Sequence, residues 1–263
     1  MNWIDVNGTS LRYDLSGSGK STLVLVHEMG GALESWDQVV PAVNNTRRVL
    51  RYDTRGAGFS EKIRTVTWDD MAADLAALLD ALGIAGKVAL AGIAVGAGIA
   101  AHFAVRYPER AAALILHGPA TGITDADRKK ATLDRAAAVE ANGMRGVVET
   151  SLAASYPPIV RHDASVFSNF RARWLTNDPR SFAAINRMLA ENDITGDLAR
   201  IACPTLVTAG THDGLRPPSI IEPMSRQIPG AQFLELNSGH FASMQTPGLV
   251  SQAIHSFLWS NGC

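Results

Sequence analysis

Five residues, Gly92-Ile93-Ala94-Val95-Gly96, have the spacing of a nucleophile elbow, the G-x-S-x-G turn that lifts a serine hydroxyl out between a strand and a helix. The serine position holds alanine. Gly92 and Gly96 are the residue types that such a turn demands, because a Cβ on either side collides with the tightly folded backbone. The strained turn is therefore expected to persist with no reactive oxygen at its tip. A bare Gly-x-Ala-x-Gly also occurs in helices rich in alanine and glycine. Here a buried-strand pattern (residues 87–91) precedes it and a small-residue helix (97–105) follows, which raises its weight. Three further segments fall where acyl chemistry would need them. His27-Glu28-Met29-Gly30-Gly31 follows an apolar strand, and a loop there can point backbone N–H groups, those of Met29 and Val95, at a developing oxyanion. Asp213 lies just past a late strand, and His240 lies in the loop after the last one. Alone, His240 reads as an ordinary loop histidine. Joined to Asp213 and the elbow frame, it reads as part of a site.

Positioning these residues takes a particular set of elements. Residues 2–6 and 10–14 alternate weakly and predict an edge hairpin turning at Asn7-Gly8. Residues 22–26 form a continuous apolar run, as in a strand covered on both faces. Residues 33–43 have helical spacing, with Trp36, Val39, Val40 and Val43 on one side. A strand follows at 48–52. An amphipathic helix over 69–82 turns Met71, Leu75, Leu78 and Leu79 inward and stops at Gly83. Strands are predicted at 111–116, 205–208 and 232–236, and a closing helix at 247–258 with proline early in it. This alternation predicts an α/β fold, a doubly wound and mostly parallel sheet. Residues 121–200 break the rhythm with several helical patterns and no clear strand. The expected division is a core of residues 1–120 and 201–263 and a helical cap of residues 121–200 over the carboxyl edge of the sheet. Residues 88–105 lack Asp, Glu, Lys and Arg and nearly reach membrane-spanning length. Their three glycines, His102 and the change of period midway fit a buried strand feeding a buried helix better.

The chain has 263 residues, of which 46% are hydrophobic and 19% charged, enough for one large domain with an insertion. A formal net charge of −1 supplies no field to attract nucleic acid or an anionic membrane, and the pairs Arg47-Arg48 and Lys129-Lys130 read as solvated faces. The expected partner is a small-molecule substrate, with self-association left open. Cys203 and Cys263 make no disulfide framework, which fits a reducing compartment such as the cytoplasm. No basic region followed by an apolar stretch opens the chain, so no signal peptide is expected. Gly17-Ser18-Gly19-Lys20-Ser21-Thr22 mimics a phosphate-binding loop, but Asp14 stands where the pattern needs its first glycine and a strand follows at once. It is expected to be a flexible turn. No ligand cluster has metal spacing, and neither metal nor organic cofactor is expected.

Arg51-Tyr52-Asp53-Thr54-Arg55-Gly56-Ala57-Gly58-Phe59-Ser60 matches a D-x-R-G-x-G-x-S loop. Together with Tyr107-Pro108-Glu109-Arg110, Pro204-Thr205-Leu206-Val207, Asp213 to Pro217 and the elbow frame, it makes nearly the whole chain resemble the α/β-hydrolases. The cap and spacing are most similar to the branch of 3-oxoadipate enol-lactonases and small carboxylesterases. That branch hydrolyses small lactones and esters and also hosts C–C bond hydrolases, amidases and cofactor-free oxygenases. The resemblance implies that His240 is the general base and acid, that Asp213 orients it, that Ala94 occupies the nucleophile position, and that Met29 and Val95 supply the oxyanion donors. Ala94 departs from the pattern, and neither Cys203 nor Cys263 stands where it could replace a serine.

Glu28 departs too, since many relatives carry glycine there. It is expected to point to solvent or pair with a cation, the alternative being a general base or a substrate contact in the pocket. His117 either lines the pocket or packs at a strand end. Arg171, Arg173 and Trp174 read as a cap helix with a solvated basic face, the alternative being that they meet a substrate carboxylate and its apolar body, with Trp174 on the wall of the pocket. Three functions follow from these residues. One is an ester or lactone hydrolase whose nucleophile is replaced, so that substrate is trapped. Another is a serine-less enzyme using the His240–Asp213 dyad for C–C cleavage, lactone hydration or cofactor-free oxygenation. The third is a ligand-binding protein on a hydrolase scaffold.

Overall fold

Asn7 and Gly8 both adopt positive φ, 47° and 71°, which lets the chain reverse in two residues. Asn2–Val6 (β1) accordingly pairs antiparallel with Thr9–Gly17 (β2). The computed structural model describes residues 2–263. Gly17 and Gly19 also have positive φ, and a Cβ on either would collide with the backbone around Arg47. The glycine-rich stretch is thus an exposed turn whose backbone passes close to residues 44–47 and leads into Thr22–Val26 (β3), which is buried along its whole length.

Residues 33–43 do not form one helix. Leu33–Trp36 is a 3₁₀ turn, and Val40–Val43 (α1) is a single α turn. Pro41 lacks the N–H that would reach back to Asp37, so the ladder breaks. Trp36, Val39, Val40 and Val43 are nonetheless buried. Arg48–Tyr52 (β4) follows. Arg47 is buried rather than solvated, and desolvation lowers its pKa. Trp68–Ala81 (α2) starts with a reciprocal capping box between Thr67 and Asp70 and buries Met71, Leu75, Leu78 and Leu79.

Val88–Ile93 (β5) runs into Val95–Arg106 (α3), and Ala111–His117 (β6) comes next. Four helices then intervene: Ala126–Asn142 (α4), Val148–Ser155 (α5), Ala164–Leu175 (α6) and Pro179–Glu191 (α7). The chain returns to the sheet through Thr205–Gly210 (β7), Pro218–Ser225 (α8), Gln232–Leu236 (β8), Ala242–Gln245 (α9) and Pro247–Ser260 (α10).

Among the described residues, eight strands form one sheet in the order β1-β2-β4-β3-β5-β6-β7-β8. Pairing is antiparallel at β1–β2 and β2–β4 and parallel elsewhere. From β3 the chain first builds outward to β4 and later resumes on the other side at β5. The loops leaving β3 and β5 therefore part at a topological switch point, where open α/β sheets leave a crevice. Apolar residues of α2 and α3 fill one side of the sheet, and those of α1 and α10 the other. A third cluster joins α4–α7 to Phe241 and Met244, beside the last strand's loop. Among the described residues no helix is long and apolar enough to cross a membrane.

Candidate active site

Ala94 sits at φ 52° and ψ −112°, a conformation that costs about 1–3 kcal/mol for a residue with a side chain. Three backbone hydrogen bonds hold it there. Its N–H donates to the His117 carbonyl (2.9 Å), and its own carbonyl accepts from Gly98 and Ala120 (3.0 Å each). A Cβ on Gly92 would collide with the Gly96 carbonyl, and one on Gly96 with the carbonyls of Val26 and His27. The frame of the elbow is thus required by contact with β3. Val95 is the first residue of α3, and N–H groups of a first helical turn have no intrahelical acceptor.

The loop after β3 faces this turn. Glu28 to Gly31 closes as a turn, with the Gly31 N–H donating to the Glu28 carbonyl (3.0 Å) and Gly30 at φ 80°. His27 accepts from the Thr54 N–H through Nε2 (3.0 Å), so its Nδ1 carries the proton and donates to the Glu28 carbonyl (2.7 Å). Asp53, fully buried, accepts from the Leu33 N–H (2.8 Å) and the Phe59 N–H (2.7 Å) and pairs with Arg12 (2.6 Å). Arg12 also pairs with Glu34 (2.7 Å). The D-x-R-G-x-G-x-S segment therefore does not meet the cavity that holds Ala94. It wraps Asp53 and anchors the two ends of the loop that carries Met29, and Gly58, at φ 45°, leaves room for the Asp53 carboxylate.

His240 and Asp213 meet. The His240 Nδ1–H donates to Asp213 Oδ2 (2.7 Å), while Asp213 Oδ1 accepts from the N–H groups of Leu215 (2.8 Å) and Arg216 (2.9 Å). Burial alone would raise the Asp213 carboxyl. The field of His240 and these hydrogen bonds outweigh burial and hold it below the usual carboxylate range. Among the described residues the other imidazole nitrogen, Nε2, has no hydrogen-bond partner. His240, Ala94, Val95, Met29 and Trp174 all line one cavity of about 230 Å³ between the sheet's carboxyl edge and helices α4–α7.

Two of the residues considered for the pocket lie elsewhere. His117 is buried behind the last loop, where Nε2–H donates to the Gly239 carbonyl (3.1 Å) and Nδ1 accepts from the Thr208 hydroxyl (2.9 Å). Burial pushes its pKa down to about 4. It braces the segment that carries His240 and does not line the cavity, because β6 ends one strand away from the elbow and packs under that loop. Glu28 neither reaches solvent nor pairs with a cation. It is 1% exposed, with Oε1 accepting from the Ser35 hydroxyl (2.7 Å) and Oε2 unpartnered. The turn at Gly30-Gly31 folds it under the loop, and a Cβ on Gly31 would collide with its carboxylate. Arg171 forms an exposed pair with Glu149, and Arg173 reaches toward the Met244 sulfur. Trp174 is buried edge-on against Phe182, with ring centroids 5.2 Å apart.

Sequence reasoning missed three arginines that line the cavity: Arg128 and Arg135 on α4, and Arg216 beside Asp213. The signal was present as a stripe at i, i+4 and i+7, since Arg128, Thr132 and Arg135 share one face of α4.

The chain matches the family described as serine aminopeptidase, S33, over residues 17–236. It is 28% identical to 3-oxoadipate enol-lactonase 1 of Acinetobacter baylyi, over 96% of this chain and 94% of that protein. A thermophilic esterase from Thermogutta terrifontis superposes with a TM-score of 0.93 at 30% identity, covering 99% of both chains. The enol-lactonase from Burkholderia xenovorans gives 0.91 at 26% identity, over 98% of this chain and 99% of that one.

Proposed function

Since this chain belongs to the α/β-hydrolase family described as serine aminopeptidase, S33, we propose that its cavity is built to receive a small ester or lactone and, with alanine at position 94, holds that substrate without acylation. The observation that carries this reading is the retained strain at Ala94, on the wall of the same cavity as a His240 imidazole oriented by Asp213. The backbone bonds of this turn tie β5 to its neighbours, but they do not by themselves call for a strained tip on the cavity wall. Similarity to esterases and enol-lactonases supports the ester or lactone class. In a form with serine at 94, the hydroxyl attacks the carbonyl as His240 Nε2 takes its proton, and the N–H groups of Met29 and Val95 receive the oxyanion. His240 then returns the proton to the leaving group and activates water to release the acid. Loss of the hydroxyl removes the attack but leaves binding.

The free Nε2 of His240 supports a second reading. A base open to the cavity can deprotonate water or an acidic substrate directly, with no covalent intermediate.

Assays of short aryl esters and an enol-lactone separate these readings. Hydrolysis only after Ala94→Ser, faster by roughly 10⁶ and lost again in Ala94→Ser/His240→Ala, is the expected result. Turnover by the chain as it stands that disappears in His240→Ala would favour the serine-less reading. Inertness of both forms with saturable binding would leave a ligand-binding scaffold.

A further inference from the structure

Residues 121–200 leave the sheet and return to it through two segments that lie side by side. The Thr121 and Thr195 hydroxyls share a hydrogen bond (2.8 Å), and the Ile194 N–H donates to the Thr121 carbonyl (2.8 Å). A Cβ on Gly122 would collide with Asp193, so the two segments touch there. The neck they form is fixed at the start of α2, where the Trp68 indole N–H donates to the Asn192 carbonyl (3.0 Å). It also borders the candidate site. The Ala120 N–H donates to the Ala94 carbonyl (3.0 Å), and Ala120, Ile123 and Leu189 line the cavity.

His102 grips this neck from α3, the helix that begins at the elbow. Its side chain is 8% exposed, with Nδ1 2.8 Å from Asp197 Oδ2 and Nε2 2.9 Å from Asp69 Oδ1. Asp197 lies in the 3₁₀ turn Thr195–Arg200 at the end of the neck, and Asp69 in the first turn of α2. Ionised carboxylates only accept hydrogen bonds, and a neutral imidazole has a single donor. Both contacts therefore exist together only when both ring nitrogens carry hydrogen, as in the imidazolium. The His102 hydrogen bond holds the Asp69 carboxyl below the usual carboxylate range. Two arginines join the cluster, Arg106 beside Asp69 (3.4 Å) and Arg200 beside Asp197 (3.1 Å). They keep both carboxylates paired when the imidazole gives up a proton, so the cluster has two workable states. In the protonated state His102 ties α2, α3 and the neck together through two charge-assisted bonds. In the neutral state one of these is lost and the other is weakened.

We propose that His102 is a positioning residue for the cavity, a proton-dependent clamp that seats the neck of helices α4–α7 on the sheet domain in its imidazolium form and loosens it when the proton leaves. It touches no ligand and acts through the wall that Ala120 and Ile123 supply. Histidine as a residue type changes charge near neutrality, so the clamp is closed in mild acid and released as pH rises. This goes beyond the ester or lactone reading and holds whatever the cavity binds.

Hydrogen exchange of the intact chain tests this, read as protection factors for the amides of residues 120–123 and 193–198 after correction for intrinsic rates. Between about pH 5.5 and about pH 8.5 protection should fall roughly tenfold, the difference between a charge-assisted and a neutral hydrogen bond, while the amides of α10 hold steady. In His102→Gln, which cannot titrate, protection of the neck should be low and equal at the two pH values. A parent protein with no fall, or a His102→Gln protein with the same fall, overturns the proposal. A fall shared equally by α10 also overturns it, because the neck is then not the part that responds. Should His102→Gln fail to fold, Asp69→Asn decides, since that side chain is 63% exposed. Its amide can donate to a neutral Nε2, so it should remove most of the fall, and an unchanged fall overturns the proposal.

Discussion

Arg12 and Arg216 are both buried cations, and they are treated in opposite ways. Arg12, 1% exposed, is clasped by Asp53 and Glu34, and its side chain lies 4.7 Å from the Phe59 ring centroid. Burial would lower its pKa, but these two partners raise it above the ordinary arginine value. Arg216, on the cavity wall, has a carbonyl for a partner, and burial lowers it. The first arginine is closed into the protein's own structure. The second is held open at an expense to stability. A cation paired inside the protein serves the fold, and one left unpaired beside a cavity is available to a ligand, a contrast that sorts motif residues from site residues here.

That contrast can be broken most forcefully at Arg12. Arg12→Met leaves Asp53 fully buried and without its counter-charge, and should lower unfolding free energy by about 3–5 kcal/mol in urea titration. A loss under 1 kcal/mol would erase the distinction. A buried histidine gives an intermediate effect. His117 has a folded pKa of about 4 against an unfolded value of about 6.5. Because the folded state resists the proton, this stabilisation is complete above pH ~6.5 and is lost as pH falls toward ~4. It amounts to something on the order of 3 kcal/mol. Unfolding curves at pH 7 and pH 4.5 should show this decline, and His117→Gln should flatten that component of it. The smallest expected effect sharpens the comparison from the other side. Arg216→Met should leave stability within about 1 kcal/mol of the parent, or above it, because a desolvated charge is removed with only one neutral hydrogen bond. A Tm drop matching that of Arg12→Met would mark Arg216 as structural.

Some of this site could be read directly from the chain. Gly92 and Gly96 announce the elbow because the collisions they avoid are local to one strand-turn-helix unit and its immediate neighbour β3. Asp213 and His240 were recognisable because each follows a strand in the order the fold imposes. The helical spacing of residues 33–43 does not give one helix, because Pro41 breaks the hydrogen-bond ladder while leaving the apolar spacing intact. Glu28 was misplaced because whether a loop carboxylate faces solvent depends on how Gly30 and Gly31 turn the chain under itself. His117 was legible as the end of a strand, yet its task of bracing Gly239 arises only when β6 and the last loop are brought together.

Local patterns in the chain are enough to set the alternating strands and helices, the tight turn around Ala94 and the order of the candidate acid and base. These depend on period, on glycine sterics and on chain order, all of which are properties of neighbouring residues. Only the packing of distant segments places Asp53 under the loop rather than in the cavity, and gathers Arg128, Arg135 and Arg216 on one wall with no salt bridge among the described residues. Which charges are paired depends on distances between segments as far apart in sequence as Arg64 and Asp178, and no local pattern carries that information.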